Sequence, residues 1–309
     1  MDLVPVSAGG ETLYAPRAGG SPYNVAIGLG RLGVPVGFFG RLSDDAFGRQ
    51  LRDRLSAEGV DDSRLVTGPE PTAIAVVHLA AGAEPHFTFY GEGAADSLLA
   101  LDDLPAPANL DDSVQALHFG SISLVRQPAA AAYEHLLRRE SGRRVISLDP
   151  NVRPSVIPNR DAYWARLEAL VALAHIVKVS RADLAWLYPD RQPEDTAAAW
   201  LARGPALVVM TRGADGAIAM TGRAVIDVPG VHVTVHDTVG AGDAFTAGLL
   251  GSLAWRGLLA RAALSRLGAD DVRASLEFAN RAAALTCTRS GAEPPTRAQV
   301  RVLEQPPVG

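Results

Sequence analysis

The chain has 309 residues, 48% of them apolar, and a net charge of -5 at pH 7. That is ample for a sizeable buried core, and mild acidity without a basic patch excludes a nucleic-acid face. No uncharged apolar run reaches the span of a membrane helix, and Met1-Asp2-Leu3 lacks the basic start of a signal peptide. The single cysteine, Cys287, excludes an internal disulfide and fits a reducing cytoplasm. No linker or repeat divides the chain, so one domain over residues 1–309 is expected.

Ala18-Gly19-Gly20-Ser21-Pro22-Tyr23-Asn24 opens a helix, with Ser21 as its cap, Pro22 in the first turn and Gly33 at its end. Gly28 to Gly33 spells G-x-G-x-x-G, but no strand precedes it and it lies inside a helix, so it is not a nucleotide loop. Gly19 and Gly20 let a ligand approach the backbone, and the Asn24 amide can donate to or accept from a hydroxyl. Val34 to Gly40 reads as a strand, and Asp44 to Glu58 as an amphipathic helix ending at Gly59. Ala73 to Leu79 and His86 to Tyr90 read as a hairpin joined by residues 80–85. Its aromatics are Phe87, Phe89 and Tyr90.

From Val114 the pattern alternates. Strands at Val114 to Phe119, Val145 to Leu148, Ile176 to Val179 and Leu207 to Thr211 are separated by helical stretches. Such alternation predicts a parallel sheet covered by helices on both faces, with ligands bound beyond the C-terminal strand ends. Asp149, Asn151 and Arg153 follow one strand, Ser180 and Asp183 the next, and Thr211, Arg212 and Gly213 the next.

Val231 to Val235 reads as a strand and Ala244 to Trp255 as a helix. Between them lies Asp237-Thr238-Val239-Gly240-Ala241-Gly242-Asp243. A glycine-rich turn into a helix N-terminus offers unpaired N–H groups and a favourable dipole to an anion. Asp243 stands in the first turn, where a carboxylate can take the proton of an alcohol attacking phosphorus. The turn is not a Walker A loop, because Asp243 stands where that loop has lysine. A final helix, Val272 to Thr288, runs to Arg289-Ser290-Gly291.

This turn, with the Gly19-Gly20-x-x-x-Asn24 segment, resembles the two signatures of the ribokinase-like (PfkB) carbohydrate kinases. The resemblance spans Asp2 to about Thr296. It implies a three-layer α/β/α fold with a mostly parallel central sheet and a small β lid, built from segments around 10–20 and 71–92. It implies Asp243 as catalytic base and the Gly240, Ala241 and Gly242 backbone as anion hole. Sugar contacts fall to Asp2, Gly19, Gly20, Asn24, Tyr90 and Arg153. Nucleotide contacts fall to Ser180, Thr211, Gly213, Gly240, Gly242 and Asn280. Ser180-x-x-Asp183 resembles the family's Asn-x-x-Glu motif but departs at both positions, which leaves Asp183 to reach Mg2+ through water. Asp237 matches the family's monovalent-cation position, a K+ site.

The substrates implied are ATP and a small sugar bearing a primary hydroxyl. Asp149-x-Asn151-x-Arg153 and Gly91 to Asp96 are similar to the fructokinase-like members. A 2-keto-3-deoxygluconate kinase is the near alternative, since Arg153 would suit a carboxylate. A silent sugar-binding regulator of the same fold is the alternative from another class. A homodimer is the expected assembly. The family's first strand, which precedes the segment matching Met1 to Pro5, has no counterpart in this sequence. Its absence predicts a sheet with unpaired ladder groups and an Asp2 carried on a mobile terminus.

Overall fold

The computed structural model describes residues 1–8, 11–78, 86–110 and 112–303. Its strands are β1 (Asp2–Ala8), β2 (Glu11–Arg17), β3 (Arg41–Ser43), β4 (Val66–Gly68), β5 (Ile74–His78), β6 (His86–Tyr90), β7 (Ala116–Gly120), β8 (Val145–Asp149), β9 (Ile176–Ser180), β10 (Leu207–Thr211), β11 (Ala217–Thr221) and β12 (Val225–Val228). Its helices are α1 (Ser21–Arg31), α2 (Ala46–Ala57), α3 (Ala129–Glu140), α4 (Arg160–Val171), α5 (Arg181–Leu187), α6 (Pro193–Leu201), α7 (Ala241–Trp255), α8 (Arg261–Leu264), α9 (Ala269–Cys287) and α10 (Arg297–Val302).

β8, β9 and β10 are apolar runs because both their faces are covered. Val145, Ile176, Leu207 and Val209 point to one side and pack with Leu29 of α1, Phe245 and Leu249 of α7, and Leu276 of α9. Ile146, Leu148, Val177, Val179, Val208 and Met210 point to the other and pack with Leu137 of α3, Leu167 of α4, Leu184 of α5 and Trp200 of α6. The period-two alternation along each strand thus sorts the core into two layers. The result is the expected three-layer α/β/α arrangement, with a six-stranded sheet in the order β12-β11-β10-β9-β8-β7. β7 to β10 run parallel, and β11 and β12 add antiparallel strands.

Two expected strands are absent. Val231 to Val235 belongs to neither β11 nor β12, which form instead from the preceding run around the Thr221 N–H to Ala224 O turn, 2.9 Å. Val34 to Gly40 makes only an isolated bridge between Gly37 and Asp61. The reason is topological: a strand needs a neighbour, and between this segment and β7 lies a cavity of about 1010 Å³. Val36, Phe38, Ala116, His118, Leu250 and Tyr133 line it. Among the described strands β7 pairs only with β8, so its other edge is open.

A separate four-stranded sheet has the order β2-β1-β5-β6. The hairpin residues 80–85 lie outside the described residues. Asp2 is not on a mobile terminus: within β1 it pairs with Arg17 of β2 and with Ala75 of β5. The Met1 side chain is buried, and its α-amino group donates to Ala73 O at 2.8 Å. Ladder pairing to two neighbours supplies the anchor that the family's preceding strand was expected to give. Among the described residues, no helix is long and apolar enough to cross a membrane.

Candidate active site

The start of α7 is set by Gly240, whose φ of 76° lies in the left-handed region. A Cβ there would also sit 2.6 Å from Ala292 Cβ, so only glycine fits. Ala244 N–H donates to Gly240 O at 2.8 Å, closing the first turn. Ala241 N–H is drawn back to Thr238 O at 3.3 Å. The amides of Gly242 and Asp243 follow, in the part of a helix where N–H groups have no intrahelical partner.

Asp243 is buried, and both its oxygens are held. Ser21 Oγ–H donates to Oδ1 at 2.7 Å, and Asn24 Nδ2 donates to Oδ2 at 2.8 Å. Ser21 in turn accepts from Asn151 Nδ2 at 2.8 Å, and Arg153 Nη1 donates to Asn151 Oδ1 at 2.6 Å. Asn151 itself sits at φ 39°, a left-handed conformation that asparagine tolerates better than most residues. A line of hydrogen bonds therefore runs from Arg153 through Asn151 and Ser21 to Asp243. It revises one expectation and gives Asn24 and Arg153 partners within the protein. Ser21 is not the helix cap, which is Gly20; its hydroxyl turns to Asp243. The Asn24 amide nitrogen grips the carboxylate of Asp243. Arg153 folds onto its own loop, giving Nη1 also to Asn151 O and Val152 O at 3.2 and 3.0 Å.

Burial pushes the Asp243 carboxyl above its ordinary range, and the Ser21 and Asn24 hydrogen bonds pull it back. Asp149 adds to the rise and Lys178 opposes it. Asp2 is raised to about 6, first by burial, with the Met1 amine opposing, Asp243 adding and Arg153 opposing. Asp2 and Asp243 thus share one field. Gly19 explains how Asp2 comes so close: a Cβ at residue 19 would lie 2.1 Å from Asp2 Oδ2.

The other candidates line the strand ends. Ser180 and Thr211 are register partners at the ends of β9 and β10, and Gly213 follows with open space where a side chain would be. Ser180 caps α5 by accepting from Asp183 N–H at 2.9 Å. Asp183 accepts from Ser180 N–H at 3.2 Å through Oδ2 and from Val152 N–H at 2.9 Å through Oδ1. With both oxygens engaged and 8% of the residue exposed, Asp183 fits a water-bridged magnesium partner and not a direct ligand. Among the described residues no group of three or more His, Cys, Asp and Glu gathers for a metal. Asp237 clamps two loops, accepting from Val239 N–H at 3.0 Å and Gly291 N–H at 2.7 Å. That joins the two segments a monovalent cation would share.

Two further candidates are placed differently. Asn280 is buried, and its Nδ2 is spent on Pro229 O at 2.9 Å, which ties α9 to the end of β12. Tyr90 is 62% exposed, and Phe89 rather than Tyr90 joins Asp2, Gly19 and Gly20 in the cavity wall. Sequence reasoning missed Ser21 as a partner of Asp243, and it missed Lys178. The lysine's signal was a charge inside the apolar run Ile176-Val177-Lys178-Val179.

A family model described as pfkB family carbohydrate kinase matches residues 11–299. The chain belongs to this family; it is an ATP-dependent sugar kinase of ribokinase-like fold. It is 44% identical over 264 residues to a fructokinase of Rhizobium leguminosarum bv. trifolii, covering 85% of this chain and 80% of that one. The structure superposes on a Vibrio cholerae O395 fructokinase holding fructose, ADP and a calcium ion, with a TM-score of 0.85, 31% identity, and 98% and 96% of the two chains covered. It superposes also on an ATP-bound fructokinase of Xylella fastidiosa, with a TM-score of 0.88, 30% identity, and 98% and 94% covered.

Proposed function

We propose that this chain is a fructokinase, transferring the γ-phosphoryl group of ATP to a primary hydroxyl of fructose. The observation that carries the reading is the buried Asp243 carboxylate, gripped by Ser21 and Asn24 at the glycine turn that opens α7. The names of the similar enzymes supply the sugar.

In this reading fructose lies beside Gly19, Gly20 and Asp2, where the absence of a side chain at residue 19 lets the Asp2 carboxylate come close. Asp2 accepts from sugar hydroxyls, and one hydroxyl reaches Asp243, which takes its proton as the bond to phosphorus forms. The Gly242 and Asp243 amides and the α7 dipole face the transferring group. ATP lies over Ser180, Thr211 and Gly213. Magnesium, when bound with ATP, neutralises phosphate charge, and Asp183 would hold it through water. Asp237 and the loop at Gly291 would share a potassium ion. Arg153 Nη1 is committed to Asn151 and Val152, so a keto-sugar acid could be met only by the other guanidinium N–H groups. The half-buried lone thiol of Cys287 supports a reducing, cytoplasmic setting.

The test is a coupled assay of ADP release over fructose, 2-keto-3-deoxygluconate, ribose and adenosine. Fructose is expected to give the highest kcat/KM. A preference for another sugar would replace the assignment, and turnover with none would point to a sugar-binding regulator.

A further inference from the structure

Lys178 is the residue that the proposed chemistry leaves over. It is the third residue of β9, in the middle of a parallel sheet, and only 4% of it is exposed. A lysine there is expensive to desolvate, and a well-packed apolar pair in place of a buried ion pair is often more stable. Stability alone therefore gives no reason for it.

Its location does. Lys178 Nζ donates to Asp149 Oδ2 at 2.9 Å. A Cβ built on Gly242 would lie 3.2 Å from Nζ, so the ammonium sits against the backbone of the glycine turn. Asp149 Oδ2 also accepts from Thr246 Oγ1–H at 3.4 Å, and the same hydroxyl lies 3.0 Å from Gly242 O. Lys178, Asp149 and Thr246 thus tie the first turn of α7 to the ends of β8 and β9. The charges around this point are unequal. Asp149, Asp183 and Asp243 all bear on Lys178 and favour its charged form. Asp2 faces Asp243 from β1, with Arg153 and the Met1 amine beside it. Neutral Ser21 and Asn24 complete the surroundings of Asp243 from α1. His118, on β7, is neutral because burial and Lys178 lower it to about 4.

We propose that Lys178 is a positioning residue for phosphoryl transfer: its ammonium, seated under Gly242, sets a positive charge against the glycine turn beside Asp243 and so favours a carboxylate able to accept a proton. Asp149 fixes the ammonium in place. The inference rests on Asp243 being the general base.

The experiment compares kcat against pH for the parent enzyme, Lys178→Met, Lys178→Arg, Asp149→Asn and Asp243→Asn. Removing a positive charge raises the pKa of a neighbouring carboxylate, so the acid limb of Lys178→Met should move to higher pH. Its KM for fructose should change much less than kcat. Lys178→Arg should restore the limb. Asp149→Asn removes a negative charge and frees the ammonium, so its limb should move to lower pH; this arm stands even where Lys178→Met fails to fold. Limbs that stay in place in both Lys178→Met and Asp149→Asn would reduce the pair to a structural contact. Parent-like turnover by Asp243→Asn would instead overturn the general base itself, a different result.

Discussion

β8 and β7 are neighbours in one ladder, yet they live in different surroundings. All five residues of β8 are buried, with helices on both faces. In β7 the first three residues, Ala116, Leu117 and His118, are only partly buried, because the cavity runs along the open edge. Asp243 and the residues proposed to hold the nucleotide hang from the packed half, at β8 to β10 and α7. Asp2 and Gly19, proposed to meet the sugar, border the cavity. The two halves therefore carry different burdens: one holds charges at fixed distances, and the other holds an entrance beside a poorly filled core.

The largest expected effect is chemical and lies in the packed half. Asp243→Asn keeps size and removes the proton acceptor, so kcat should fall on the order of a hundred- to ten-thousand-fold, with fructose and ATP binding preserved. Steady-state kinetics together with calorimetric titration check it; near-normal turnover would strip Asp243 of its role. Next in size is packing. Leu148→Ala in β8 should cost about 2–5 kcal/mol in denaturant unfolding, while Leu117→Ala in β7 should cost less than half as much, since its surroundings are already loose. Equal losses would erase the difference between the strands.

Filling the gap should narrow that difference. An apolar strand of about seven residues fused ahead of Met1 should lie along β7, and raise the melting temperature by about 3 °C through roughly 2 kcal/mol of added stability. It should also tighten fructose binding, and unchanged melting and affinity would mean that the cavity is tolerated as it is. The smallest effect concerns Asp2. Its carboxyl is raised to about 6, so the folded state holds a proton that the unfolded chain releases down to its ordinary range. Asp2 in its charged form therefore costs stability above pH 6, and the cost disappears as pH falls toward 4. Asp2→Asn should melt slightly higher than the parent at pH 7 and match it at pH 4. In the parent, KM for fructose should rise as pH drops through about 6, and in the variant this dependence should flatten.

Much of the fold could be read from the chain because local pattern and tertiary role agree there. Leu207 to Met210 is apolar throughout, and Ile176 to Val179 is apolar but for Lys178, as strands covered on both faces require. Val34 to Gly40 has equal strand character but no partner across the cavity, and pairing is not written in the segment itself. Val231 to Val235 alternates and still joins no ladder. At the site, the glycine turn and Asp243 stand out by spacing. Ser21 does not, because its hydrogen bond to Asp243 joins residues 222 positions apart. The hold of Asn280 on Pro229 O is hidden for the same reason, since the two are 51 positions apart.

That long reach has a kinetic side. The grip on Asp243 joins α1 near the start of the chain to α7 near its end, and Asn151 closes the loop from the middle. Contacts of such sequence separation form slowly, after local elements have condensed. During refolding, helical signal should therefore return well before turnover does. A ribosome-bound chain from which α7 has not yet emerged would lack Asp243 together with the helix that covers one face of the sheet.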